Sequence, residues 1–318
     1  MSDPLVKVRG LTVSYRRRQG LMSDRFVAVR KLSLDIFPRE CFALVGESGC
    51  GKTSVARALL DLTPIDRGTI RIGDFNLPGL VRNQRLAFRR FVQVVFQDPF
   101  LSLNPRRKVG SLIEEPLIIH GVARQERRIR LAEVVRKVRL DPELLDRRPV
   151  RLSGGQRQRV CIARALILEP GFLIADEPVS ALDLSVQASI IDLLNELKSQ
   201  DGLTMLFVSH DMELVQFIAD RVGVMYAGRL VEIGPVAEVF ANPIHPYTQA
   251  LMSAVPSQLA RDNLLAETPE ERHHPSADAC PFHPNCKLAD MKCQHDMPPL
   301  IMHSPDHRVA CYKYRHPY

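Results

Sequence analysis

The chain has 318 residues, 45% of them hydrophobic and 25% charged. Those proportions fit a globular fold with a substantial buried core and exclude a fibrous, low-complexity or disordered chain. Lys and Arg outnumber Asp and Glu by 43 to 36, a net charge of +7; the excess suits a nucleotide, a nucleic acid or an anionic membrane surface, and equally a basic solvated face. No apolar run reaches the ~20 residues that span a bilayer, and the opening MSDPLVKVRGLTVSY has no apolar signal core. A cytosolic location is therefore expected, with any membrane role supplied through a partner.

Residues 5–15 and 27–37 alternate apolar and polar side chains and predict two short strands. CFALV (Cys41–Val45) is a continuous apolar run that ends in glycine, the pattern of a buried parallel strand. A helix is expected from about Thr53, and VQVVF (Val92–Phe96) predicts another strand. From Pro99 to about Leu168 strand patterns give way to Arg-rich helical stretches such as RQERRIRLAEVVRKVRL. This predicts a helical insert whose charges form a solvated face.

Strand patterns return at FLIAD (Phe172–Asp176) and TMLFVSH (Thr204–His210). Between them VQASIIDLLNELKSQDG reads as a helix stopped by Gly202. Strand, helix and strand in that order predict a right-handed parallel crossover. VGVMYAGRLVEIG predicts a hairpin turning at Ala227–Gly228. Beyond Gly234 the composition shifts to Pro, His and Cys, so residues 1–234 read as the main domain and 235–318 as a C-terminal extension.

Three motifs carry chemistry. GESGCGKT (Gly46–Thr53) follows the buried strand, opens a helix and fits G-x-x-x-x-G-K-[ST]. Glycines let backbone N–H groups converge on phosphate oxygens, and the helix N-terminus favours the same anion. Gly46, Ser48, Gly49, Cys50 and Gly51 form the cradle, Ser54 follows it, Lys52 reaches the outer phosphates and the Thr53 hydroxyl ligates magnesium. The competing reading is an incidental glycine-rich turn. FLIADEP ends a strand in Asp176, a carboxylate able to hold the metal through water, followed by Glu177, placed to orient or deprotonate an attacking water. Alone, such a pair is a strand end meeting solvent; beside the cradle it points to nucleotide hydrolysis. RLSGGQRQR sets Ser153, Gly154 and Gly155 at a second helix start, a second phosphate-holding arrangement. It reads equally as a helix cap, with Gln156 completing a capping box on Ser153.

The order GESGCGKT, FQDP with Gln97, LSGGQ, LIADEP, SALD with Asp183 and VSHD with His210 closely resembles the nucleotide-binding subunit of ATP-binding cassette (ABC) transporters over about residues 5–255. The resemblance implies an α/β P-loop NTPase fold with a parallel sheet core, an antiparallel β subdomain and a helical subdomain near 99–168. It implies ATP and Mg2+, with Thr53, Gln97 and Asp176 around the metal. It implies catalytic roles for Glu177, His210 and Gln97, and an adenine stack on Tyr15, for which a core tyrosine is the competing reading. In such proteins LSGGQ faces the P-loop of a second subunit, so that two ATP molecules lie between two head-to-tail domains and Asp183 crosses the interface. Two departures stand out: Thr53, where the closest relatives more usually have Ser, and Arg39 in PRECF, where the family commonly has Gly.

VFQDPFLSLNPRRKVG, NPIHPYTQALMSAVP (Asn242–Pro256) and the cysteine tail resemble the oligopeptide/dipeptide/nickel branch of bacterial importers, and GESGCGKT with SLNPR resembles the second ATPase of such systems. The implied partners are a paralogous ATPase in a heterodimer, two transmembrane permease subunits and an extracytoplasmic solute-binding protein. The implied location is peripheral, on the cytoplasmic face of the inner membrane; no nucleic acid is expected. A non-transport ABC protein acting on DNA or ribosomes would suit the basic charge but usually carries coiled coils or zinc modules. An exporter usually fuses membrane helices to its cassette. Cys280, Cys286, Cys293 and Cys311 are spaced C-x5-C-x6-C-x17-C, wider than usual zinc sites. Similar tails in the resembling importers imply a [4Fe–4S] cluster, with zinc or no metal as alternatives and His283 and His307 as spare ligands.

Overall fold

Alternating and continuous apolar runs assemble into two sheets. The computed structural model describes residues 3–19, 22–253 and 279–314; Ala254–Pro256, the end of the NPIHPYTQALMSAVP run, lie outside them. The first two strands are longer than the alternation predicts. β1 (Val6–Gln19) and β2 (Met22–Ile36) pair antiparallel, Val6 opposite Ile36. β3 (Cys41–Val45) is buried throughout and leads through the glycine loop into α1 (Lys52–Leu59). Residues 67–91, for which no elements are predicted above, form β4 (Arg67–Ile72), β5 (Phe75–Leu77) and α2 (Arg82–Phe91). The smaller sheet has the order β2-β1-β4-β5 and is antiparallel.

β6 (Val92–Val95) precedes the helical insert: α3 (Pro99–Ser102), α4 (Val109–Ile119), α5 (Arg124–Lys137) and α6 (Gly154–Leu166). The chain then runs through β7 (Phe172–Asp176), α7 (Leu184–Asp201), β8 (Thr204–Ser209), α8 (Met212–Ile218), β9 (Arg221–Tyr226) and β10 (Arg229–Pro235). β7 and β8 pair in parallel around α7, the predicted crossover, and Gly202 ends α7 in the left-handed region. The β9–β10 hairpin turns at Ala227 and Gly228, with φ +44° and +81°. Two positive φ angles in succession are what a two-residue turn with the strands' own twist requires.

The C-terminal region is joined to the core. After α9 (Val236–Ala241), α10 (Pro246–Ser253) and α11 (Met291–His295), β11 (Ile301–Ser304) and β12 (His307–Val309) extend the main sheet. β12 pairs with β10, giving the order β11-β12-β10-β9-β3-β8-β7-β6.

Strand alternation divides the core. Phe42 and Leu44 of β3 and Ile174 of β7 face a cluster containing α1, β1, β2 and β4. Cys41, Ala43 and Val45 of β3 and Ala175 of β7 face the other, containing α4, α6, α7 and α8. The P-loop helix α1 and the LSGGQ helix α6 therefore pack on opposite faces of one sheet. Arg39, the departure in PRECF, has φ +64°, a backbone region where glycine is unstrained and an L side chain costs about 1–2 kcal/mol.

Candidate active site

Strand register gathers the predicted residues at one edge. Val95, Ala175 and Phe207 lie side by side across β6, β7 and β8, and Val45 of β3 pairs with Ser209. Gly46, Gln97, Asp176, Glu177 and His210 thus leave the carboxyl ends of four parallel strands together, where ligands of open α/β sheets bind.

The cradle depends on its glycines. Gly46, Gly49 and Gly51 have φ +146°, +79° and +111°. A Cβ at Gly46 would stand 2.2 Å from the Met225 carbonyl oxygen, and one at Gly51 2.4 Å from that of Ala28, so β2 and the β9–β10 hairpin support the loop from below. Gly51 caps α1 without a side chain, which leaves the first helical N–H groups for an anion. Glu47, Ser48 and Gly49 are exposed; Cys50 is buried beneath them, and burial pushes its thiol up, making it a neutral packing group. Lys52 is only 4% exposed, and its Nζ donates to the carbonyls of Gly46 at 2.7 Å and Glu47 at 3.0 Å. Thr53 and Ser54 follow on α1.

Thr53 Oγ1 donates to Asp176 Oδ1 at 3.4 Å. Asp176 is buried; burial, then the neighbouring Glu177 charge, raises its carboxyl above the ordinary value. A buried carboxylate facing a hydroxyl at the phosphate cradle is the hard-oxygen donor set that Mg2+ takes, and the cation would offset the burial of the Asp176 charge.

Glu177 is the hub. Gln97 Nε2 donates to its Oε2 at 2.8 Å, and His210 Nδ1 lies 3.2 Å from its Oε1. Its backbone N–H donates to Val208 at 2.9 Å, and its φ is +47°, left-handed for a non-glycine residue. The three residues predicted to be catalytic therefore converge on one carboxylate.

LSGGQ lies elsewhere, on α6. Ser153 caps the helix: its hydroxyl accepts the Gln156 N–H at 3.3 Å, and Gln156 Oε1 accepts the Ser153 N–H at 2.9 Å. The capping-box reading is thus realised. Gly154 and Gly155 pack on the segment holding Asp183; a Cβ at Gly155 would meet Val186 Cγ1 at 2.5 Å and one at Gly154 Leu182 Cδ2 at 3.1 Å. Asp183 is exposed at the start of α7 and makes no cap bond. Tyr15 is half-buried on β1, accepting from Thr63 Oγ1 at 3.5 Å.

The four tail cysteines line one cavity with His283, Phe282 and Tyr312. None is in a disulfide; Cys286 is half-buried and the others are buried. Burial, and then the neighbouring thiols among the lesser causes, pushes Cys280 up to about 11. Among the described residues, no three His, Cys, Asp or Glu side chains gather as a single metal ion requires. His307 is not part of the cavity; its Nε2 lies 2.8 Å from Glu232 Oε1.

Sequence reasoning missed Tyr247, whose hydroxyl accepts the Glu47 N–H of the P-loop at 3.0 Å. The pair is 200 residues apart, beyond any local periodicity.

This sheet, cradle and carboxylate hub define an ABC ATPase. Residues 29–180 match the ABC transporter family model, and 231–293 match that of the oligopeptide/dipeptide transporter C-terminal region. The di/tripeptide transport ATP-binding protein DppF of Pseudomonas aeruginosa is 39% identical, covering 98% of each chain. The dipeptide transport ATP-binding protein DppF of Haemophilus influenzae is 40% identical over 98% of this chain and 97% of its own. Among solved structures, the dimeric post-hydrolysis ATP-binding cassette MJ0796, bound to ADP and Pi, superposes with a TM-score of 0.65 at 29% identity, over 73% of this chain and 98% of its own. The chain belongs to the ATP-binding subunits of ABC transporters of the oligopeptide/dipeptide family, and it couples ATP hydrolysis to transport. No helix among the described residues is long and apolar enough to cross a membrane.

Proposed function

We propose that this chain powers import of di- and oligopeptides, working at the cytoplasmic face of the inner membrane with a paralogous ATPase, two permease subunits and a solute-binding protein. The carrying observation is the division of the core. α1 and α6 lie on opposite faces of the sheet, so Ser153, Gly154 and Gly155 serve a nucleotide held by another subunit. Closure of two such chains gives each cradle a second helix N-terminus at the γ-phosphate. Glu177 is the general base, Gln97 and His210 hold its two oxygens in place for an attacking water, and Tyr15 stacks on adenine. Thr53, Asp176 and Gln97 would hold Mg2+, which would supply neutralisation of phosphate charge. A groove of about 420 Å³ lined by Gln93, Phe96, Ile119, His120, Cys161 and Arg164 lies next to Gln97 between β6 and the helical insert, and suits a permease segment that receives the motion. The relatives' names support the peptide class. The test is uptake of labelled di- and tripeptides by cells lacking the gene, with and without its restoration. Uptake unaffected by the loss would refute a peptide substrate.

The tail cysteines are read as ligands of a [4Fe–4S] cluster. Four thiols line one cavity, and four cysteines are the donor number that a [4Fe–4S] cluster takes. Bound there, the cluster would take the cysteines as thiolates, whose charge burial otherwise disfavours, and tie the tail together. Anaerobic purification should give brown protein with four irons per chain; colourless protein with stoichiometric zinc would exclude this reading.

A further inference from the structure

The His245-Pro246-Tyr247 segment at the start of α10 reaches the P-loop through Tyr247, and its surroundings hold that residue in place. Glu232 on β10 is fully buried. Its carboxylate accepts the N–H groups of Ile244 and His245 at 2.9 Å each and faces His307 Nε2 of β12 at 2.8 Å. These bonds pin residues 244–245 to the main sheet. His245 Nδ1 then accepts the Tyr247 N–H at 3.0 Å. The Tyr247 ring is 2% exposed, 4.5 Å from the ring of Tyr226 and 5.6 Å from that of Phe282. With the ring so clamped, its hydroxyl has little freedom of position, and it accepts the Glu47 N–H at 3.0 Å.

That N–H belongs to the Gly46–Glu47 peptide. The carbonyl of the same peptide accepts from Lys52 Nζ at 2.7 Å. A trans peptide is planar, so its N–H and C=O point in opposite directions. Tyr247 and the Lys52 ammonium therefore stand at opposite edges of that plane. Gly46, at φ +146° and without a Cβ, does little by itself to fix the rotation of that plane. The Tyr247 hydroxyl does.

We propose that Tyr247 is a positioning residue for Lys52, acting through the Gly46–Glu47 peptide, so that the C-terminal extension is a working part of the ATP site. This rests on the reading of Gly46–Thr53 as a nucleotide cradle. Tyr247→Phe keeps the ring and its packing and removes only the acceptor. Loss of one such hydrogen bond should weaken binding of a fluorescent ATP analogue to the full chain about three- to tenfold, without lowering the melting temperature of nucleotide-free protein by more than roughly 2 °C. Thr248→Val, a fully buried neighbour on α10, should bind as wild type. A structural role alone predicts the same penalty in any background. Action through Lys52 predicts that Tyr247→Phe costs nothing further in a Lys52→Ala chain. Wild-type affinity in Tyr247→Phe, or additive losses in the double variant, would overturn the proposal. If Tyr247→Phe does not fold, amide exchange in the wild type decides: a protected Glu47 N–H supports the assignment and a freely exchanging one refutes it. A wild-type chain that binds no ATP analogue refutes the cradle reading itself, and this proposal with it.

Discussion

Replacing Glu177 by Gln isolates the chemistry from everything around it. The two side chains have the same shape. In the wild type one carboxylate oxygen accepts from Gln97 Nε2 and the other faces His210 Nδ1. A Gln amide turned with its oxygen toward Gln97 keeps the first contact and offers N–H to the imidazole, so stability should change by less than about 1 kcal/mol. Neither oxygen contacts Lys52 or the cradle glycines in the bonds that hold them, so ATP binding should be preserved. What is lost is the base. General-base catalysis supplies about 10²–10⁴ in rate, or roughly 3–5 kcal/mol of barrier. The assay is ATP hydrolysis by the assembled transporter, run beside equilibrium binding of ATP to the same preparation. A loss below tenfold with binding intact would place the base elsewhere. Loss of binding itself would show that the carboxylate holds the site together rather than acting on water.

Burial raises the Asp176 carboxyl, so its charged form opposes folding of the metal-free protein. Asp176→Asn should therefore match wild type in stability at a pH below the ordinary value of 3.8 and gain on it as pH rises through the raised value, then level off; denaturant titrations without Mg2+ between about pH 4 and 8 check this sign, and a wild type that gains on the variant instead would refute it. Gly51→Ala would set a methyl 2.4 Å from the Ala28 carbonyl at φ +111°, a strain of about 1–3 kcal/mol; melting temperature and ATP affinity should fall together. His307→Leu removes one of three partners of the buried Glu232 carboxylate, at a cost of about 1.5–3 kcal/mol, read as a melting point lower by roughly 3–6 °C.

The legible parts of the fold are those where burial is continuous. CFALV and FLIAD are apolar at every position because both sheet faces are covered, and the residues that follow each run are the site. The helical insert showed itself by the loss of such runs. The region from Arg67 to Phe91 did not, for the opposite reason. Only Ile70 and Ile72 are buried in β4 and only Phe88 in α2, too few to set a period. β11 and β12 span four and three residues, below the length at which alternation can be read; their place beside β10 comes from pairing across the molecule. Within the site, motif order named Gln97, Glu177 and His210, but their convergence on one carboxylate required the register of β6, β7 and β8. Tyr247 stood in a quoted motif without a role, because its partner lies on a distant loop.

The left-handed backbone at Glu177 sets two kinds of fitness against each other. A glutamate held at φ +47° costs about 1 kcal/mol or more relative to a residue that tolerates that region. Asparagine is such a residue, and it lacks the carboxylate. Directed evolution scored only on heat resistance would thus favour substitutions here that end turnover, as tends to happen where an active site is kept at the expense of robustness. Engineering a hardier version of this subunit means holding position 177 fixed and taking stability from Arg39, where the same backbone geometry carries no chemistry.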